Sequence, residues 1–180
     1  MPASLRPAAL TIEKLTVGAD RVTCRVRVNP GAPRMTTPAL AAAITRAYPT
    51  LPLHSCVNEH GDTFAAVLNC TSLPHVLEHL VIDEQVRAEA SREGGLAMPS
   101  TKRCSARAGQ SSGLSERAQD CLSDWETAQT PPPETIYTGT TRWLDETAGV
   151  AEVQVSYADD LVALKCFQTA LHALNKLVVM

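Results

Sequence analysis

The run Arg21–Val28, RVTCRVRV, alternates without a break. Val22, Cys24, Val26 and Val28 fall on one side of an extended chain, and Arg21, Thr23, Arg25 and Arg27 on the other. Such a strand must bury its apolar side and leave its basic side to solvent or to an anion. The run before it, ALTIEKLTV, also alternates, and Gly18-Ala19-Asp20 separates the two, so residues 9–28 read as a hairpin. A second hairpin reads over 135–157, as IYTGTTRWL and VAEVQVSY around Thr147-Ala148-Gly149. Two one-faced hairpins call for a mainly antiparallel sheet with helices packed on one face, an α+β class.

The helices are marked by their ends. Thr37 is an N-cap with Pro38 at the first helical position, and Pro49 stops that helix after Tyr48. Pro74 opens a second helix, reaching about Arg92. A third runs from Asp159 to about Lys176. Between the first two, a Gly61-Asp62 turn precedes TFAAVLN (63–69), which reads as a strand. The expected element order is therefore ββα-βα-ββα, in a single domain over 1–180. Residues 93–134 stand apart, with few large apolar residues and a PPP run. They read as an inserted arm carrying at most one weak helix over 114–127.

Composition excludes several functions. A formal charge of −3 rules out a strongly basic nucleic-acid footprint, and 4% aromatic residues disfavour a base-stacking platform. No stretch approaches the roughly 18 apolar residues of a membrane span. The N-terminus shows no apolar signal segment, so a reduced, cytoplasmic setting is expected for the six cysteines. None forms a C-x-x-C pair, and their spacing does not support a cysteine-built zinc site. Cys24 and Cys166 read as small core residues.

The segment that carries chemistry is His75-Val76-Leu77-Glu78-His79, an H-x-x-E-H motif. Histidines at i and i+4 on a helix can present two imidazoles to one cation, with Glu78 beside them as general base on a metal-bound water. Chance alone gives such a motif in a chain of this composition about once in a hundred. The helix has two unlike arcs. Val76, Leu77, Leu80, Val81 and Ala88 form a core face, and His75, Glu78, His79, Ile82, Gln85 and Val86 the opposite one. The apolar members of the second arc suggest the wall of a cleft. Asp83 is placed to orient the His79 ring. A third metal ligand must come from elsewhere. Asp160, at the head of the last helix's apolar stripe, is preferred over Glu152, and Glu146 in a turn is weaker. Helix capping is the competing role for the Asp159-Asp160 pair. Arg142 is a candidate for binding a substrate carboxylate or an oxyanion, against the plainer role of a surface arginine.

LPHVLEHLVIDEQ (73–85) resembles the H-x-x-E-H-x-x-x-E-x-Q helix of the N-terminal domain of cyanophycin synthetases. TGTTRWLDETAGVAEVQVSYADDLVAL (138–164) resembles the segment, hairpin and acidic-headed helix that follow in that domain. The resemblance implies a domain that holds an arginine–aspartate polymer and, in some members, a zinc hydrolase that cuts it. It implies His75 and His79 as metal ligands, Glu78 as base, and a third ligand from a neighbouring helix, favouring Asp160. It also implies a fold similar to that of pitrilysin-type peptidases and S-ribosylhomocysteine lyases. The sequence departs from the family pattern in carrying Asp83 for Glu and in its longer arm, and with 180 residues it is expected to act without the family's synthetic domains. A lyase of the second type would use a cysteine as third ligand, and no cysteine stands where that pattern puts one. The expected function is a zinc-dependent hydrolase of a peptide or isopeptide bond, with no nucleic-acid or membrane partner. The alternatives are a non-catalytic module binding a charged polymer or protein, with Arg21, Arg25 and Arg27 as contacts, and a degenerate scaffold. Homo-oligomerisation is left open.

Overall fold

A computed structural model describes residues 8–96 and 136–178. The two hairpins form where the alternation places them. β1 (Leu10–Val17) pairs with β2 (Arg21–Val28), and the second hairpin inserts its return strand beside β2. All pairings are antiparallel, and the sheet order is β1-β2-β6-β5, with β5 (Gly139–Asp145) and β6 (Val150–Ser156). Val22, Cys24, Val26 and Val28 are buried, as are Ala151, Val153 and Val155 opposite them. This apolar face takes the helices, while the Arg25 and Glu152 face looks outward.

α1 (Pro38–Ala47) starts as read, with Thr37 Oγ1 accepting from Leu40 N at 3.3 Å. α2 (Leu73–Leu96) crosses the sheet against β5 and β6, and α3 (Asp160–Val178) packs on α2 and β1. α3 buries Ala163, Cys166, Phe167, Ala170 and Leu174. Its Asn175 side chain acts as a substitute strand: Leu10 N donates to Oδ1 at 2.8 Å and Nδ2 donates to Leu10 O at 2.9 Å. Cys24 and Cys166 are buried free thiols. No helix among the described residues is long and apolar enough to cross a membrane.

The middle of the chain differs from the expected strand over 63–69. There, β3 (Ser55–Asn58) and β4 (Gly61–Thr63) make a separate two-stranded hairpin, and Phe64–Ala66 is a 3-10 turn. The order is therefore ββα-ββ-α-ββα. The cause is visible in burial. Phe64 and Leu68, four apart, are buried while Ala65 and Ala66 are exposed, and Leu68 N donates to Phe64 O at 3.0 Å. That spacing is helical, and an unbroken apolar run conceals it. Most of the arm read over 93–134, including its weak helix, lies outside the described residues.

The apolar layer between α2, α3 and the sheet should dominate stability. Phe167 is fully buried, so Phe167→Ala is expected to cost about 3–5 kcal/mol in urea unfolding. A loss below about 1 kcal/mol would contradict this packing.

Candidate metal centre

α2 is buried on both of its arcs through its first three turns. Leu73, Val76, Leu77, Leu80 and Val81 pack into the core. On the other arc Glu78 is 5% exposed, His79 2% and Gln85 1%, so these polar groups are held in the interior. Gln85 resolves its burial by donating Nε2 to Ser156 O at 3.2 Å. The others need partners from elsewhere in the fold.

His75 lies beside Thr71 and Cys56. Its Nδ1 is 2.8 Å from Thr71 Oγ1, and its Nε2 is 3.5 Å from Cys56 Sγ. With Nδ1–H donating to Thr71, the Nε2 lone pair faces the thiol. Phe64 meets this ring edge-on and stacks on His79, with centroids 3.9 Å apart and planes 25° apart. His79 Nδ1 is 3.5 Å from His54 Nδ1. His79 Nε2 is buried and has no hydrogen-bond partner among the described residues.

One nitrogen from each of His75 and His79 and the Cys56 sulfur lie within 4.8 Å of one another. Two imidazoles and a thiolate form a ligand set suited to zinc. The histidine pair expected from the motif is thus brought together, and the third member is Cys56. Asp160 is exposed in the first turn of α3 and belongs neither to this group nor to the lining of the cleft described below. The α3 stripe begins at Ala163, so a helical count that includes Asp160 runs past the covered part of the helix. The pair acts at the helix start instead, with Asp159 Oδ1 accepting from Val162 N at 3.1 Å. Glu152 is on the outer face, taken by Arg142 at 2.7 and 2.9 Å. Arg142 is thereby an exposed, paired arginine on the cleft rim. Glu146 lies in the β5–β6 turn, where its carbonyl accepts from Arg34.

Asp83 meets a different ring from the one expected. Its Oδ1 lies 3.5 Å from His54 Nε2 and accepts from Thr50 Oγ1 at 2.5 Å. Arg87 Nε sits 2.6 Å from Oδ2, an ion pair off the hydrogen-bond axis. These hydrogen bonds and the Arg87 charge outweigh burial and hold the Asp83 carboxyl below its usual range. His54 stands between Asp83 and His79 and links them, a relay from carboxylate to His79 Nδ1 that leaves Nε2 free.

Glu78 is held by β5. Thr141 Oγ1 donates to Glu78 Oε2 at 2.5 Å. A Cβ on Gly139 would lie 2.6 Å from Glu78 Cγ, so only glycine leaves room for this carboxylate. Burial raises the Glu78 carboxyl above its ordinary value, and the Thr141 hydrogen bond partly opposes that. Glu78, His75, His79 and Cys56 line one cleft of about 650 Å³, between β3 and β5.

His54 and Cys56 were not singled out for this site by the sequence. They sit in a four-residue stretch that neither periodicity nor spacing marks, and the only hint is the density of ligand-type residues in His54-Ser55-Cys56. Comparison with known protein families, with curated proteins and with solved structures returned no match.

Burial and the neighbouring imidazoles push His79 down to about 3. In the unfolded chain an imidazole titrates near 6.5. The metal-free protein therefore has the full contribution of neutral His79 above about pH 6.5 and loses it as pH falls toward 3, by up to about 1.4 kcal/mol per pH unit. Urea midpoints of metal-free protein should fall between about pH 7 and pH 5, and less steeply in His79→Phe. Equal slopes in the two proteins would show that His79 is not buried in its neutral form.

Proposed function

We propose that this protein is a metal-dependent hydrolase of a peptide or isopeptide bond, with Cys56, His75 and His79 holding a zinc ion and Glu78 moving the proton. The observation that carries the reading is the grouping of the Cys56 sulfur with one ring nitrogen each of His75 and His79, within 4.8 Å of one another, together with a buried His79 Nε2 that has no hydrogen-bond partner among the described residues. Glu78 supports it, as a buried carboxylate on the same cleft that accepts a hydrogen bond from Thr141. A bound divalent cation supplies Lewis acidity, polarising the carbonyl under attack and making a water easier to deprotonate. Glu78 takes the proton from the attacking water and returns it to the departing amine. Thr141 holds the carboxylate in place, and the Asp83–His54 pair holds the His79 ring.

The reading accords with the resemblance to cyanophycin synthetase N-terminal domains and with the fold it implies, that of pitrilysin-type peptidases and S-ribosylhomocysteine lyases. The sulfur ligand favours a second reading, a metal-dependent lyase of the latter type, which also uses a cysteine. A hydrolase adds water across the broken bond and a lyase does not, so oxygen-18 from labelled water appears in the product only in the first case.

Protein purified without added metal should carry about one zinc per chain, and Cys56→Ser should lower that content. Glu78→Gln should keep the metal and lose about 10²–10⁴ in turnover. Metal-free protein, or equal turnover in Glu78→Gln, would refute the mechanism. Activity that survives chelator but not thiol alkylation would instead assign Cys56 as a nucleophile with His75 as its base.

A further inference from the structure

The cleft follows a strand in a way that its floor alone does not require. Every residue from Ile136 to Trp143 lines it. Successive side chains of a strand point to opposite faces of a sheet, so a pocket on one face collects every second residue. A cleft that collects Thr140 and Arg142 together with Gly139, Thr141 and Trp143 runs along the edge of β5. Among the described residues that edge is open, because β5 is the last strand of its sheet and pairs there only with β6.

The register says which backbone groups face the cleft. Ser156 N donates to Thr138 O at 2.8 Å. In an antiparallel pair, hydrogen-bonded and non-hydrogen-bonded positions alternate. Thr140 and Arg142 therefore exchange bonds with Gln154 and Glu152, while the N–H and C=O groups of Gly139 and Thr141 point outward. The opposite wall is Ser55, Cys56 and Val57 of β3, whose sole strand partner among the described residues is β4. Two strand edges thus flank a floor made by Glu78 and the histidines.

An open edge is ordinarily blunted by charge, proline or cover. The far edge of this sheet is covered at Leu10 by Asn175. From Thr138 to Thr141 the β5 edge carries only Thr-Gly-Thr-Thr, with no charge or proline. Arg142, the next charge along the strand, is engaged by Glu152. The groups offered to a ligand are main-chain donors and acceptors, bordered by apolar Ile82 and Trp143.

We propose that the substrate is an α-linked peptide bound in extended form as an added strand on β5, held by the main-chain groups of Gly139 and Thr141. This deepens the hydrolase reading and rests on it, since Thr141 gives its side chain to Glu78 and its main chain to the substrate. The bond cut is a main-chain amide. The water oxygen bonds to the carbonyl carbon, the C–N bond breaks, and the proton taken by Glu78 goes to the departing nitrogen. Recognition by main chain makes the enzyme tolerant of sequence, with a preference for apolar side chains at the positions that meet Ile82 and Trp143.

The test uses a pool of random α-linked decapeptides and the same pool N-methylated at every residue, so that neither edge of the extended peptide can donate. Amide hydrogen exchange is followed in the full chain stripped of metal and in Glu78→Gln, in which cleavage is slow on the time of the measurement. The unmethylated pool should slow exchange at the Gly139 and Thr141 amides at least about tenfold, and the methylated pool should not. The metal-loaded protein should cleave the first pool at least about tenfold faster than the second. Unchanged exchange on β5, or equal cleavage of the two pools, would overturn the proposal. The two readings fail separately. Absence of zinc by elemental analysis removes the hydrolase reading whatever β5 does. Bound zinc and a dead Glu78→Gln, with Gly139 and Thr141 unprotected, remove only the added strand.

Discussion

α2 must bury both of its faces, and the rest of the molecule is arranged around that demand. One face is aliphatic and needs only close packing against the sheet and α3. The other carries Glu78, His79, Asp83 and Gln85, all nearly inaccessible, and each buried polar group left without a partner costs about 1–3 kcal/mol. Partners come from several separate elements. β5 supplies Thr141, the end of β6 supplies the Ser156 carbonyl, and the segment after α1 supplies Thr50 and His54. After these are counted, His79 Nε2 is still unmatched. An apolar side chain there would pack against Phe64 at no such cost. Among the described residues the nitrogen has no partner, which is the physical ground for the proposed ligand.

What could be read from the sequence was local. Alternation in Arg21–Val28 and Val150–Ser156 gave strands and their buried faces, because a period of two leaves little choice once one face is covered. The Thr37 cap and the prolines placed α1 and the start of α2. H-x-x-E-H was legible for the same reason, since the helix itself sets the spacing of its histidines. Tertiary placement was not legible. Cys56 reaches His75 through a short hairpin of three- and four-residue strands, too brief and polar to show a period. Asp160 follows the helical count but precedes the covered length of α3. Asp83 lies one turn from His79, yet its carboxylate meets His54, a residue outside the helix, which neighbour spacing along the helix does not reveal.

The site is therefore divided between two kinds of support. The histidines and Cys56 depend on loop-borne packing, with Phe64 stacked on one ring and edge-on to the other. Glu78 depends on the sheet. Changes in the 54–64 segment should disturb the ligand group first, whereas changes in the second hairpin should disturb the carboxylate.

The second dependence is a matter of register. Thr141 faces Glu78 because it pairs with Val153, whose side chain points into the same buried layer. Slipping β5 by one residue would turn Thr141 outward and bring Thr140 or Arg142 to the carboxylate. Gly139 would leave its place too, and any side chain in its stead would strike Glu78. The register is fixed from the other side by Val153 and Val155, which are fully buried and opposite Cys24 and Val22. The apolar alternation that makes the sheet one-faced thus also sets the position of the carboxylate and of the main-chain groups beside it. Core packing and site geometry are one constraint here, carried from β2 through β6 to the open edge at β5.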